Sequence, residues 1–190
     1  MRTLPLALCL LLAGCVPSIN PLYTEKELIF DAALVGQWNS VGYEGEGWVF
    51  EKSAEKEYRV RMYEKDRPDA RMIGHLVALG EYRFLDLQPE KPGGLASFQS
   101  DYLMPLHSFY RVWLDGDRLK IGGLDLDWMR EKLRNKELDV EHLMGADKED
   151  LLLTASTPRL QALVLKYAAD PKAFPPGENG SGFVRAKQAK

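Results

Sequence analysis

The chain has 190 residues, with 28 acidic against 25 basic side chains, a net charge of −3, 45% hydrophobic and 28% charged residues. That balance belongs to a folded domain; it excludes a collagen-like repeat and a disordered chain, and it argues against the basic footprint of a nucleic-acid binder. The length accommodates one domain with an appendage.

Residues 1–14 read as an export signal: one basic residue, Arg2, then an apolar run from Leu4 to Leu12 ending in Leu12-Ala13-Gly14-Cys15. The run is about half the ~20 residues a membrane-spanning helix requires. The two cysteines, Cys9 and Cys15, both fall here. Removal of the leader would therefore leave no disulfide and no thiolate metal or redox site in the folded domain. The segment Leu12-Ala13-Gly14-Cys15 resembles the bacterial lipoprotein lipobox, in which small residues precede the cysteine that is lipidated and becomes the first mature residue. The resemblance implies acyl chains on Cys15 and a membrane as partner. Because Val16 rather than Asp follows the cysteine, it also implies a cell-envelope location at the outer membrane where there are two membranes.

Residues 15–24, with Pro17, Ser18, Asn20 and Pro21, are unsuited to a helix and read as a lipidated tether. A single domain is expected over residues 25–174, entered through a short helical or extended stretch, Glu25 to Phe30. From Leu34 to Leu124, short β-prone runs alternate with turn residues. The expected strands are Val35–Asn39, Trp48–Lys52, Glu57–Met62, Arg71–Leu79, Tyr82–Gln88, Ser108–Leu114, Arg118–Gly122 and Leu151–Ala155. In the third, Tyr58, Val60 and Met62 share an apolar face and Glu57, Arg59 and Arg61 a solvated one. Gly80 and Asp115-Gly116 supply tight turns, and Arg67-Pro68-Asp69 interrupts pairing. A flat meander of about eight antiparallel strands would leave two edges open, so closure into a barrel is expected.

Two helices accompany the sheet. Leu126–Asn135 has Asp125 or Asp127 as N-cap and an apolar stripe of Trp128, Met129 and Leu133, and it precedes the last strand. The second begins with Thr157 as cap and Pro158, presents Leu160, Leu163, Val164 and Tyr167 at helical spacing, ends at Asp170-Pro171, and should pack outside the barrel. Residues 175–190 read as a disordered tail.

Gly36-Gln37-Trp38 in the first strand resembles the Gly-x-Trp signature of lipocalins, in which the Trp closes one end of the barrel. Ser100-Asp101-Tyr102 resembles the second motif of that family, Thr-Asp-Tyr. The resemblance implies a lipocalin-like barrel. The wider stretch from Asn20 to Lys26 and on to Trp38 also resembles bacterial lipoproteins with no assigned activity, which implies a location and no reaction.

No catalytic pattern emerges. His75, His107 and His142 lie at least 32 residues apart, without a second ligand at metal spacing, so no metal and no cofactor are expected. There is no Gly-x-Ser-x-Gly elbow and no phosphate-binding Gly-rich loop. Carboxylates such as Asp125, Asp127, Glu44 and Glu46 are explained by caps and solvated faces, and no enzyme activity is expected. The aromatic residues remain. Trp38, Tyr58, Phe84, Tyr110 and Trp113 are the candidates to line a cavity for a small apolar or lipid-like ligand, with a tyrosine hydroxyl at its mouth; the alternative is a core filled by these rings. The long link from Leu87 to Leu106 could serve as a binding loop. The expected function is thus a membrane-anchored carrier. The alternative is a structural or assembly lipoprotein whose solid barrel docks another envelope protein.

Overall fold

The β-prone runs pair where the turn residues direct them. The computed structural model describes residues 16–91, 104–145, 150–176 and 182–187. Gly36–Ser40 (β3), Gly47–Ala54 (β4), Glu57–Tyr63 (β5), Ala70–Leu79 (β6), Tyr82–Pro89 (β7), His107–Asp115 (β8) and Arg118–Gly123 (β9) form an antiparallel meander. Pro17–Ser18 (β1) and Leu28–Ile29 (β2) precede it. Gly80 and Gly116 adopt positive φ, 59° and 55°, at the tips of the β6–β7 and β8–β9 hairpins, where a side chain would be strained. The outer candidates Cys9 and Cys15, the motif Ser100-Asp101-Tyr102 and most of the Leu87–Leu106 link lie outside the described residues.

The sheet closes into an eight-stranded barrel. The eighth strand differs from the expected one. Leu151–Leu153 (β11) leaves the barrel and joins His142–Met144 (β10) and β1 in a small extension beside β8. Closure falls instead to Phe183–Arg185 (β12), inserted between β3 and β9. Residues 183–185 therefore correct the expected disordered tail. Their aromatic and β-branched side chains suit a strand, but the hydrogen-bonding edges that order them come from β3 and β9.

The expected tether is corrected as well. Val16, Ser18 and Leu22 are fully buried, Val16 N donates to Leu124 O and Ile19 N to Leu153 O. Prolines excluded a helix here, yet they permit a two-residue strand, and Val16 and Leu22 supply apolar side chains to bury. Asn20 Nδ2 donates to Ala155 O at 2.9 Å and ties the segment to the chain after β11.

Period-two alternation divides the apolar residues into two cores. Inside the barrel lie Leu34, Trp38, Trp48, Phe50, Tyr58, Val60, Leu76, Leu85, Leu87, Tyr110, Val112, Leu119 and Ile121. The second core covers the outer face of β6, β7 and β8, where Val77, Leu79, Phe84 and Phe109 meet the N-terminal segment and both helices. Helix α1, Leu126–Arg134, is capped by Asp125, whose carboxylate accepts from Trp128 N, and buries Trp128 and Met129. Helix α2, Thr157–Lys166, buries Leu160, Leu163 and Val164, each such aliphatic contributing about 1.5–3 kcal/mol. Its cap is Ser156, without a side-chain bond. Thr157, the expected cap, instead donates its hydroxyl to Pro21 O, because the N-terminal segment lies against the start of the helix.

Candidate functional site

The five aromatic candidates do not meet in one cavity. Trp38, Tyr58 and Tyr110 point into the barrel, whereas Phe84 and Trp113 lie on its outer face. Trp38 Nε1 donates to Leu34 O at 2.8 Å, and the Arg185 guanidinium lies 4.2 Å from its ring centroid. Tyr58 donates to Asp31 O and accepts from Asp31 N; its ring stacks on Phe30 and meets Phe50 edge-on. Burial raises the Tyr58 pKa above its usual value, so the hydroxyl acts as a neutral link to the chain entering the barrel rather than as a free group at a mouth. Tyr110 packs edge-on to Trp48. These rings pack against one another inside the barrel.

Open space occurs outside the barrel. A cavity of about 460 Å³ lies along β8 and β9, lined by Arg111, Trp113, Asp115, Arg118, Lys120 and Phe174 together with Ala169, Pro171 and Pro176. Its floor follows from strand alternation. Val112, Leu119 and Ile121 face the lumen, so Arg111, Trp113, Arg118 and Lys120 face outward. Its far wall is the chain after α2, which approaches β9 closely at Gly122. A Cβ there would stand 2.5 Å from Pro175 O, so only glycine accommodates the wall in this position.

Arg111 is the organising side chain of the groove. Its guanidinium carbon lies 4.8 Å from the Tyr82 ring centroid and 4.4 Å from that of Trp113, and it donates to Ala168 O. Burial lowers its pKa relative to an ordinary arginine.

Beneath the N-terminal segment lies a second cluster, polar and largely buried, on the outer face of β5–β8. Asp86 Oδ2 accepts from Leu22 N at 2.7 Å, and Asp86 Oδ1 lies 2.6 Å from His107 Nδ1. A carboxylate only accepts, so Nδ1 of this imidazole carries the proton. His75 stands opposite Asp86 in the β6–β7 ladder, packs at a tilt against Tyr23 with ring centroids 4.5 Å apart, and approaches Glu57 at 3.8 Å. Tyr23 is pushed up to about 12 by burial first, then by the charges of Asp86, Glu57 and Glu25. Ser18 pairs with His107 in the ladder, but its hydroxyl donates to Asn20 O and accepts from Asn20 N. The Asp86 carboxylate thus fastens the N-terminal segment to the barrel.

Sequence reasoning missed this cluster. The Gly80-Glu81 turn joins Leu79 to Tyr82, and counting outward brings His75 opposite Asp86; that much was available from the hairpin. The burial was not, because it depends on Leu22 and Tyr23 folding over the strands.

His75 carries a pH prediction. Burial lowers its pKa below 6.5, against the opposing pull of Asp86 and Glu57. The unfolded chain then binds the proton more readily than the folded one, so this group removes stability as pH falls below about 6.5 and leaves it unchanged above. Melting temperature followed against pH should decline less steeply below that point in His75→Gln than in the parent chain. Superimposable slopes would dissociate His75 from the acid sensitivity.

Among the described residues no group of three His, Cys, Asp or Glu side chains is placed to hold a metal ion, and no helix is long and apolar enough to cross a membrane. Comparison of the chain with protein-family models, with curated proteins and with solved structures finds no match.

Proposed function

We propose that the chain is a lipid-anchored lipoprotein of the cell envelope, held through acyl chains on Cys15, and that it is a binding module for a small lipid-like ligand. The ligand lies in the groove along β8 and β9, not in the barrel lumen. One observation carries this reading: the rings of Trp38, Trp48, Phe50, Tyr58 and Tyr110 occupy the lumen, whereas Trp113, Phe174, Pro171 and Pro176 border an open volume of about 460 Å³. That volume falls within the range of small-molecule sites.

The anchor and the barrel are closely joined in this reading. Val16 follows the acylated cysteine directly and is already buried, so no flexible spacer intervenes and the barrel lies against the bilayer near the β9–α1 corner. Each buried methylene of an acyl chain adds about 0.8 kcal/mol, and multiple chains hold the protein firmly. Cys15→Ser is expected to move the protein from the membrane to the soluble fraction on cell fractionation. Retention of the serine variant in membranes would overturn the acyl anchor.

A second reading, an assembly lipoprotein, is favoured by the end of the extension. Strand β10 has no further strand beyond it in the described sheet, and Leu143 and Met144 on it are exposed, which suits pairing with a partner strand. Native mass spectrometry of residues 15–190 carrying Cys15→Ser, purified from cells and compared before and after unfolding, separates the two. A co-purifying apolar mass released on unfolding is the expected result. A chain that stays empty when offered a lipid extract would overturn the binding reading in favour of the assembly one.

A further inference from the structure

Among the described residues that line the groove, cations outnumber carboxylates. Arg111, Arg118 and Lys120 line it against one carboxylate, Asp115, and Asp115 forms no ion pair within 4 Å with Arg118, its partner across the hairpin. The next carboxylate along the turn, Asp117, is engaged by Arg185 at 2.9 Å. None of the three cations has a carboxylate partner among the described residues. Arg111 is held half-buried between two rings, with one N–H on Ala168 O. A desolvated guanidinium still has donors to offer, and an anion satisfies them best. Beside these charges, Trp113, Phe174, Pro171 and Pro176 form an apolar wall.

We infer that the groove binds an anionic amphiphile, its acid head against Arg111, Arg118 and Lys120 and its apolar body along Trp113 and Phe174. This rests on the binding reading proposed above and specifies the ligand class for that same groove. The head is a carboxylate or a phosphate, since an arginine fork takes either. Trp113 has a double part: its face braces the guanidinium and its outer edge meets the ligand body.

The test uses residues 15–190 with Cys15→Ser, which contain every described residue, and calorimetric titration with four probes below their micellar concentrations: dodecanoate, dodecyl phosphate, dodecanol and inorganic phosphate. The two acids should bind at least about tenfold more tightly than the alcohol, a difference of about 1.4 kcal/mol, and added salt should narrow the gap. Arg111→Met keeps an unbranched stem over the same rings and should bring the acids down towards the alcohol. A melting curve superimposable on the parent chain's shows that the variant is folded, and the ratio of acid to alcohol affinity within the variant reads the head-group preference alone. Equal binding of acids and alcohol overturns the anionic head and leaves the binding module standing. Inorganic phosphate binding as tightly as dodecyl phosphate overturns the amphiphile in favour of a simple anion site. No binding of any probe overturns the groove as a ligand site altogether. Retained preference for acids in a folded Arg111→Met protein removes Arg111 from the recognition of the head.

Discussion

Trp38→Ala should destabilise the folded chain by about 3–5 kcal/mol, the range for emptying a buried aromatic site. Trp38 is fully buried inside the barrel, and three separate parts of the chain converge on it. Its indole N–H donates to Leu34 O at 2.8 Å, which fixes the short helical turn Ala32–Leu34 over the barrel end. Its own strand pairs with β4 on one side and with β12 on the other, through Trp48 and Arg185. The Arg185 guanidinium covers the ring, donates to Val35 O and Ala33 O, and meets Asp117. Alanine would leave a void, an unpartnered Leu34 carbonyl and an arginine without its ring. Urea unfolding measures the loss as a shifted midpoint at unchanged slope. A loss under about 1 kcal/mol would mean that the site refills by collapse and that Trp38 does not hold the barrel end.

Asp86→Ala should cost about as much, roughly 3–5 kcal/mol, because it breaks a buried charged pairing from one side. Asp86 is 1% exposed, and its two oxygens serve Leu22 N and His107 Nδ1. With alanine both donors are stranded in a layer that also contains Phe84, Phe109 and Leu22. Residues 16–24 should then peel from the barrel. Amide exchange at Leu22 would accelerate well before the barrel strands exchange. Asp86→Asn should fall between the two, since its amide oxygen still accepts from Leu22 N. Slow exchange at Leu22 in Asp86→Ala would show that burial of Val16 and Leu22 suffices to hold the segment, and that the carboxylate does not fasten it.

These two positions illustrate what could be read ahead of the fold. The meander was legible from the alternation of Tyr58, Val60 and their neighbours and from the turns at Gly80 and Gly116, because a hairpin is specified by a few contiguous residues. Helix α1 was legible through its two candidate caps, Asp125 and Asp127, and the Trp128–Met129 stripe, and the structure uses Asp125. The Gly36-x-Trp38 pattern pointed to a tryptophan inside the barrel, and Trp38 is fully buried there. The arginine that covers it, Arg185, stands in a segment whose composition suggested disorder. Nothing near residue 185 signals a partner near residue 38.

The site was less legible than the fold. Phe84 and Trp113 are aromatic residues on strands, as Trp38 and Tyr110 are, and composition does not tell inward from outward positions when both faces are covered. The outer face of β6–β8 carries Val77, Leu79, Phe84 and Phe109 as well as polar residues, because helices and the N-terminal segment rest on it, so polar-out alternation fails there. The groove is built from β8, β9 and residues 169–176, and its width depends on the missing side chain of Gly122 against Pro175.

The sequence by itself determined the local pairings: which runs become strands, where hairpins turn, where α1 begins and which residues of β5 face inward. Those choices rest on backbone conformation and on period-two burial between neighbours in the chain. Only the tertiary structure decided which strand closes the barrel, what covers Trp38, how Asp86 binds the N-terminal segment, and that a cavity of about 460 Å³ opens along the outside of β8 and β9. Each of those joins residues far apart in the chain. Their register is set by which apolar surfaces and unpaired backbone edges remain once the hairpins have formed, and that remainder exists only in three dimensions.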